Sequence, residues 1–192
     1  MERNQLQKKW KELVVQQPLS ILQVATGVGK SLTALQVIKD VGGKWYIVVA
    51  ETNHIKNWYD EIIKQGLQDL LLNVEIFCYA SLHKYQDTEV KGIIFDEGHH
   101  IATDKRIQAS LKIKTERVIV LTATLSSEIK SILNFYFGDF YEIKYSLSQA
   151  ISDGILPEPK VFLVGIDLPE EKTEYIIQKG KDRVVMHCHY EE

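Results

Sequence analysis

The sequence predicts an α/β domain built on a mostly parallel sheet with helices on both faces, and three observations predict it. Short β-rich apolar runs recur along the chain, stretches of helical period lie between them, and a glycine-rich loop joins one such run to one such stretch. Parallel neighbours need a long crossover, usually a helix, so an alternation of strand and helix favours a parallel sheet covered on both sides. Ligands of such sheets bind beyond the carboxyl ends of the strands.

In chain order, the first strand is expected at Leu19 to Val24, followed by the loop Ala25 to Ser31 and a helical stretch from Ser31 to Asp40. There Leu32, Leu35 and Ile38 share one face. Trp45 to Ala50 reads as a strand, and Ile55 to Gln65 as a second helix with Ile55, Trp58, Ile62 and Ile63 on its apolar face. Further strands are expected at Val74 to Tyr79, Gly92 to Phe95, Val118 to Leu121, Tyr141 to Ile143 and Val161 to Ile166. The clear breaks are Gly42-Gly43 and the Pro157 to Pro159 segment. The expected organisation is one domain over residues 1–166, with 167–192 an extension or the truncated start of a second domain.

At 192 residues, 45% apolar and 26% charged, the chain has the composition of an ordinary globular domain. Its net charge of −3 gives no bulk attraction for nucleic acid, so a phosphate-binding surface must be a local patch. Cys78 and Cys188 stand at a spacing that suits no zinc or redox signature, and both are expected as reduced thiols. The longest apolar stretch, Trp45 to Ala50, falls far short of the roughly 18 residues of a membrane span. The charged N-terminus has no signal-peptide region. No membrane partner and a cytoplasmic location are expected.

Two motifs carry chemistry. In Ala25-Thr26-Gly27-Val28-Gly29-Lys30-Ser31, Gly27 and Gly29 allow a tight turn whose N–H groups point inward at a helix N-terminus, a ready anion site. Thr26, Gly27, Val28 and Gly29 would cradle phosphates, Lys30 would reach the β and γ groups, and the Ser31 hydroxyl suits Mg²⁺. The strict pattern wants glycine where Val24 stands. In Gly92 to His100 an apolar strand ends in Asp96 and Glu97: Asp96 can hold Mg²⁺ through its waters, and Glu97 can orient and deprotonate an attacking water. Adjacent His99 and His100 are expected to point apart, which with no third ligand at suitable spacing disfavours zinc.

These residues resemble the superfamily two helicases and translocases, particularly the type III restriction and phage repair branch, and the likeness is ordered along the chain. Ala25 to Ser31 looks like motif I, Val48 to Asn57 with Trp58 like motif Ia, Cys78 to Leu82 like motif Ib, Asp96 to His99 like motif II, and Leu121 to Leu125 like motif III. Motif II reads Asp-Glu-Gly-His here in place of the better known Asp-Glu-Ala-His. Tyr145 to Pro157 also resembles the end of such a first domain. The resemblance implies a RecA-like P-loop domain that binds ATP and Mg²⁺, with Lys30, Asp96 and Glu97 as its catalytic set. It implies backbone contact with nucleic acid, DNA favoured over RNA, at Thr52, Asn53, Lys56 and Ser81. His99, Thr122 and Thr124 would couple the two events, and Gln5 or Gln7 would contact adenine. The family completes its site with arginines of a second RecA-like domain, so this chain is expected to hydrolyse ATP slowly by itself. A bacterial or phage-infected cell is the setting that the motifs suggest. Two rival readings are a small P-loop kinase or GTPase, which would need an acceptor lid or a guanine signature, and a catalytically inactive helicase-like module kept for binding.

Overall fold

The computed structural model describes residues 2–158 together with the strands Glu174–Lys179 and Asp182–His187. Its main unit is a six-stranded sheet in which every neighbouring pair is parallel, in the order β3-β2-β4-β5-β1-β6. The strands are β1 (Leu19–Val24), β2 (Trp45–Val49), β3 (Val74–Cys78), β4 (Glu89–Asp96), β5 (Lys114–Thr122) and β6 (Tyr141–Tyr145). Between or before them run the helices α1 (Arg3–Gln16), α2 (Lys30–Val41), α3 (Thr52–Lys64), α4 (Asp104–Leu111) and α5 (Ser127–Phe137), with α6 (Leu147–Ser152) after β6.

The two-residue period of the strands sorts the core into two layers. Leu22, Ile47, Ile94, Ile119 and Leu121 face α1, α2 and α3, packing with Trp10, Leu35 and Trp58. Their neighbours Ile21, Val48, Phe95, Val118 and Val120 face the other way, toward Ile107 of α4 and Leu133 of α5. Both faces are therefore dry, as a parallel sheet requires, and the strands read as apolar runs rather than as alternations. Close packing leaves no room for a side chain at Gly92, where a Cβ would stand 2.2 Å from the buried Trp45 ring.

α1, α4 and α6 were not anticipated from the sequence, and β4 and β5 extend several residues upstream of the apolar runs. Their early residues carry several charged side chains and still pair, Glu89 with Lys114 and Gly92 with Arg117. The described contacts divide the chain between Glu158 and Pro159. In the second unit β7 (Glu174–Lys179) and β8 (Asp182–His187) form an antiparallel hairpin, with Tyr175 opposite Met186. The strand expected at Val161 to Ile166 lies outside the described residues, as does Cys188. Among the described residues Cys78 is a free thiol, and no helix is long and apolar enough to cross a membrane.

Candidate nucleotide-binding site

The loop between β1 and α2 has the geometry of an anion cradle. Gly27 (φ 85°) and Gly29 (φ 110°) both adopt the left-handed region that disfavours side chains, and Gly29 opens α2. A Cβ on Gly29 would also stand 2.0 Å from the Gln7 amide nitrogen. Gln7, buried on α1, donates from Nε2 to the Val28 carbonyl at 2.8 Å, so α1 clasps the loop from outside. Lys30 folds back to donate from Nζ to the Val24 carbonyl at 2.8 Å. Val24 ends β1 fully buried, so the position where the strict pattern has glycine belongs to the strand here. Burial lowers the Lys30 pKa, while the carboxylates of Glu97 and Asp96 act in the opposite sense across the site.

β4 delivers Asp96 at its carboxyl end, where three donors meet it. Asp96 Oδ1 accepts from the Glu97 N–H at 3.1 Å, Oδ2 accepts from the Trp58 indole at 2.8 Å, and the Asp96 carbonyl accepts from the Tyr79 hydroxyl at 2.9 Å. Glu97 itself has φ 48° and ψ 59°, a left-handed conformation that a non-glycine residue holds only when its surroundings impose it. Gly98 follows for a steric reason: a Cβ there would stand 2.1 Å from Cγ1 of the buried Val120 on the neighbouring strand. Glycine at position 98 thus matches the branched side chain beneath it.

The histidines correct one expectation. Their rings do not point apart but lie side by side, with centroids 4.2 Å apart, because a short 3₁₀ turn over Gly98–Ile101 carries both. His99 Nδ1 stands 3.7 Å from Glu97 Oε2. Burial, His99 and Arg106 together hold the His100 pKa below its ordinary value, and Arg106 donates to the His100 carbonyl at 2.5 Å. Among the described residues no group of three or more His, Cys, Asp or Glu could hold a metal ion. Mg²⁺ asks for less, since it keeps several waters and takes one or two protein oxygens beside the phosphates. Ser31 and Asp96 fit that demand, because both line one cavity.

That cavity, about 700 Å³, opens at the carboxyl ends of β1 and β4. Thr26, Gly27, Gly29, Lys30, Ser31, Asp96 and Glu97 line it, and so does Gln7. Val28 is placed otherwise, its side chain in the core and its N–H toward the Ala25 carbonyl at 3.4 Å. Gln5 completes a capping box with Glu2 at the start of α1. Arg3 and Asn4, from the same N-terminal segment as Gln5 and Gln7, also line the cavity, as do His54, Asn57 and Trp58, which were not anticipated there. Arg3 is tied to the Ile155 carbonyl at 2.8 Å, and Trp58, read from its spacing as a core residue, is both core and site.

The residues assigned to nucleic acid lie beyond the carboxyl ends of β2 and β3. Thr52, Asn53 and Lys56 are exposed in the first turns of α3, and Ser81 is half-buried in the turn after β3. The two segments are neighbours because β2 and β3 pair, and Thr52 Oγ1 approaches Cys78 Sγ to 3.9 Å. Thr122 and Thr124 bind each other: the Thr122 hydroxyl donates to the Thr124 carbonyl at 2.6 Å and accepts from the Thr124 N–H at 3.2 Å. The cap of α5 is supplied by Ser126, which accepts from the Ile129 N–H at 3.3 Å.

No family model matches the chain. By sequence it is 25% identical, over 92% of its length, to a Rad25 protein of Haloarcula marismortui named for a DNA 3′-5′ helicase activity; it spans 32% of that relative. By structure it is similar to the helicase domain of Pyrococcus furiosus Hef (TM-score 0.62, 17% identity, 84% of this chain and 42% of that one). It is similar as well to the Sulfolobus solfataricus SWI2/SNF2 ATPase core solved in complex with dsDNA (TM-score 0.58, 20% identity, 77% and 37%). The UvsW helicase of bacteriophage T4 also matches (TM-score 0.54, 17% identity, 70% and 59%). By its fold, this chain is a RecA-like α/β domain.

Proposed function

We propose that this chain binds ATP in the cavity at the ends of β1 and β4 and, together with a second RecA-like domain, couples ATP hydrolysis to movement on nucleic acid, DNA rather than RNA. One observation carries the reading: Lys30, Ser31, Asp96 and Glu97, which come from two motifs 66 positions apart in sequence, line one cavity. A helicase-named relative by sequence supports the same reading.

In this reading Lys30 leaves the Val24 carbonyl and transfers its ammonium to the β and γ phosphates, an exchange of one acceptor for a better one. The N–H groups at the start of α2 receive the phosphate chain. Ser31 and Asp96 would hold Mg²⁺, whose charge on the phosphate oxygens stabilises what develops there during transfer. Glu97 orients the attacking water and takes its proton, with His99 beside it. Gln7, on the cavity wall, is the better placed of the two glutamines for adenine. Thr52, Asn53, Lys56 and Ser81 hold strand phosphates without reading sequence, and the paired Thr122 and Thr124 link that contact to the nucleotide. The unit that ends at Glu158 supplies the ATP-binding domain of this reading.

The test is nucleotide binding and ATPase activity of the chain, with and without single-stranded and duplex DNA. ATP should bind and Lys30→Ala should abolish binding; Glu97→Gln should bind ATP but lose turnover. Strand binding with no nucleotide binding would mean an inactive binding module. A guanine preference, or transfer to a small acceptor, would mean a P-loop kinase or GTPase.

A further inference from the structure

Asp96 is held by two side chains to which the ATP chemistry assigns no part. Trp58 donates to Oδ2 at 2.8 Å and Tyr79 to the main-chain carbonyl at 2.9 Å, both from buried rings. With Oδ1 engaged by the Glu97 N–H at 3.1 Å, the carboxylate cannot turn about its soft χ2 torsion without breaking one of these bonds. The two donors are also close in sequence to the residues assigned to strand contact. Trp58 stands on α3, whose first turns carry Thr52, Asn53 and Lys56, and Tyr79 opens the turn that contains Ser81. The start of α3 lies roughly 9 Å from Trp58 along one helix axis, so a displacement of α3 as a unit would carry the indole with it.

We propose that Trp58 is a positioning residue for the Asp96 carboxylate, and that α3 is thereby a direct link between nucleic-acid contact and the metal-holding group, with Tyr79 anchoring the main chain at the same point. The proposal rests on the function proposed above. It places a coupling route through α3, on the opposite side of Asp96 from the paired threonines that end β5.

The test uses the 192-residue chain, a fluorescent ATP analogue and MgCl₂. Trp58→Phe keeps the ring and removes the donor. It should raise the MgCl₂ midpoint roughly three- to tenfold beyond any change in Mg²⁺-free nucleotide affinity, the scale of one net intramolecular hydrogen bond. A single-stranded oligonucleotide should lower the midpoint for the unaltered chain and leave that of Trp58→Phe unmoved, although both bind it equally; such reciprocity is what coupling means. An unchanged midpoint in Trp58→Phe, or an oligonucleotide effect that is absent in the unaltered chain or persists in the variant, overturns the proposal. Should the variant not fold, the indole N–H resonances of the unaltered chain decide: Trp58 must move when MgCl₂ is added to the nucleotide complex, and an unmoved signal refutes the role. If the unaltered chain binds no nucleotide, the proposed function itself falls, and this inference with it.

Discussion

Glu97 should be a residue that the fold would be more stable without. Its φ of 48° and ψ of 59° place it in the left-handed region, where an L side chain crowds the following carbonyl at a cost of about 1–2 kcal/mol. Glycine removes that crowding but loses more backbone freedom on folding, about 0.5–1 kcal/mol. The difference predicts that Glu97→Gly is more stable by roughly 0.5–1 kcal/mol, which for a chain of this size raises Tm by about 1–4 °C. The control is Glu97→Gln, which loses the same charge opposite Lys30 but keeps the Cβ. Thermal melts of the two variants therefore isolate the backbone term. Both should lose turnover, so activity and stability would move in opposite directions in the glycine variant, as expected where strain is kept for function. A Glu97→Gly chain that melts at or below Glu97→Gln would refute the argument.

Gly98→Ala should cost about 1–3 kcal/mol by overpacking against Val120. In a double-mutant cycle with Val120→Ala by urea unfolding the two should couple by about 1 kcal/mol or more, and simple additivity would show that the clash is relaxed elsewhere. Lys30→Met should abolish ATP binding while leaving stability at pH 7 equal or higher. The folded Lys30 pKa lies below the ordinary 10.5, so the charged form costs the fold free energy in full below that folded value, and the cost fades as pH rises from there to 10.5. A methionine variant that unfolds more easily at pH 7 would contradict this. His100 follows the same sign: its folded pKa is lowered from 6.5, so its contribution is present above 6.5 and lost as pH falls through the folded value. His100→Gln should flatten stability between about pH 5 and 7, and an unaltered acid limb would rule out that source.

Much of this was legible because the strands are buried on both faces. Trp45–Val49 reads as a continuous apolar run and Leu19–Val24 as one interrupted only by Ser20 and Gln23, and the glycines at 27 and 29 announce a left-handed turn whatever the rest of the chain does. The helix α1 was not legible: its core residues Leu6, Trp10 and Val14 are spaced at four, but they are outnumbered by Arg, Lys, Glu and Gln on the other faces. The upstream halves of β4 and β5 were missed for the opposite reason, since Glu89–Lys91 and Lys114–Arg117 gain their strand character from pairing rather than from burial. Placements around the site were least legible. Nothing in the spacing says that Trp58 will spend its indole N–H on Asp96, that Gln5 will cap a helix while Gln7 clasps the loop, or that His99 and His100 will lie side by side. Those outcomes depend on which strand tips become neighbours.

The strand order also bears on how the domain comes into being. β1 pairs with β5 on one side and β6 on the other, so Leu19 waits for Val118 and Ser20 waits for Tyr141 before the phosphate loop has a strand to stand on. Every residue assigned to the chemistry has been synthesised by Glu97, yet β1 has no partner until β5 emerges. At roughly 5–20 residues per second on the ribosome, the loop spends a second or more as unsupported chain. Non-local parallel pairing of this kind is slow to form and leaves apolar strand exposed meanwhile. A chain ended before Lys114 would hold every catalytic side chain and no site.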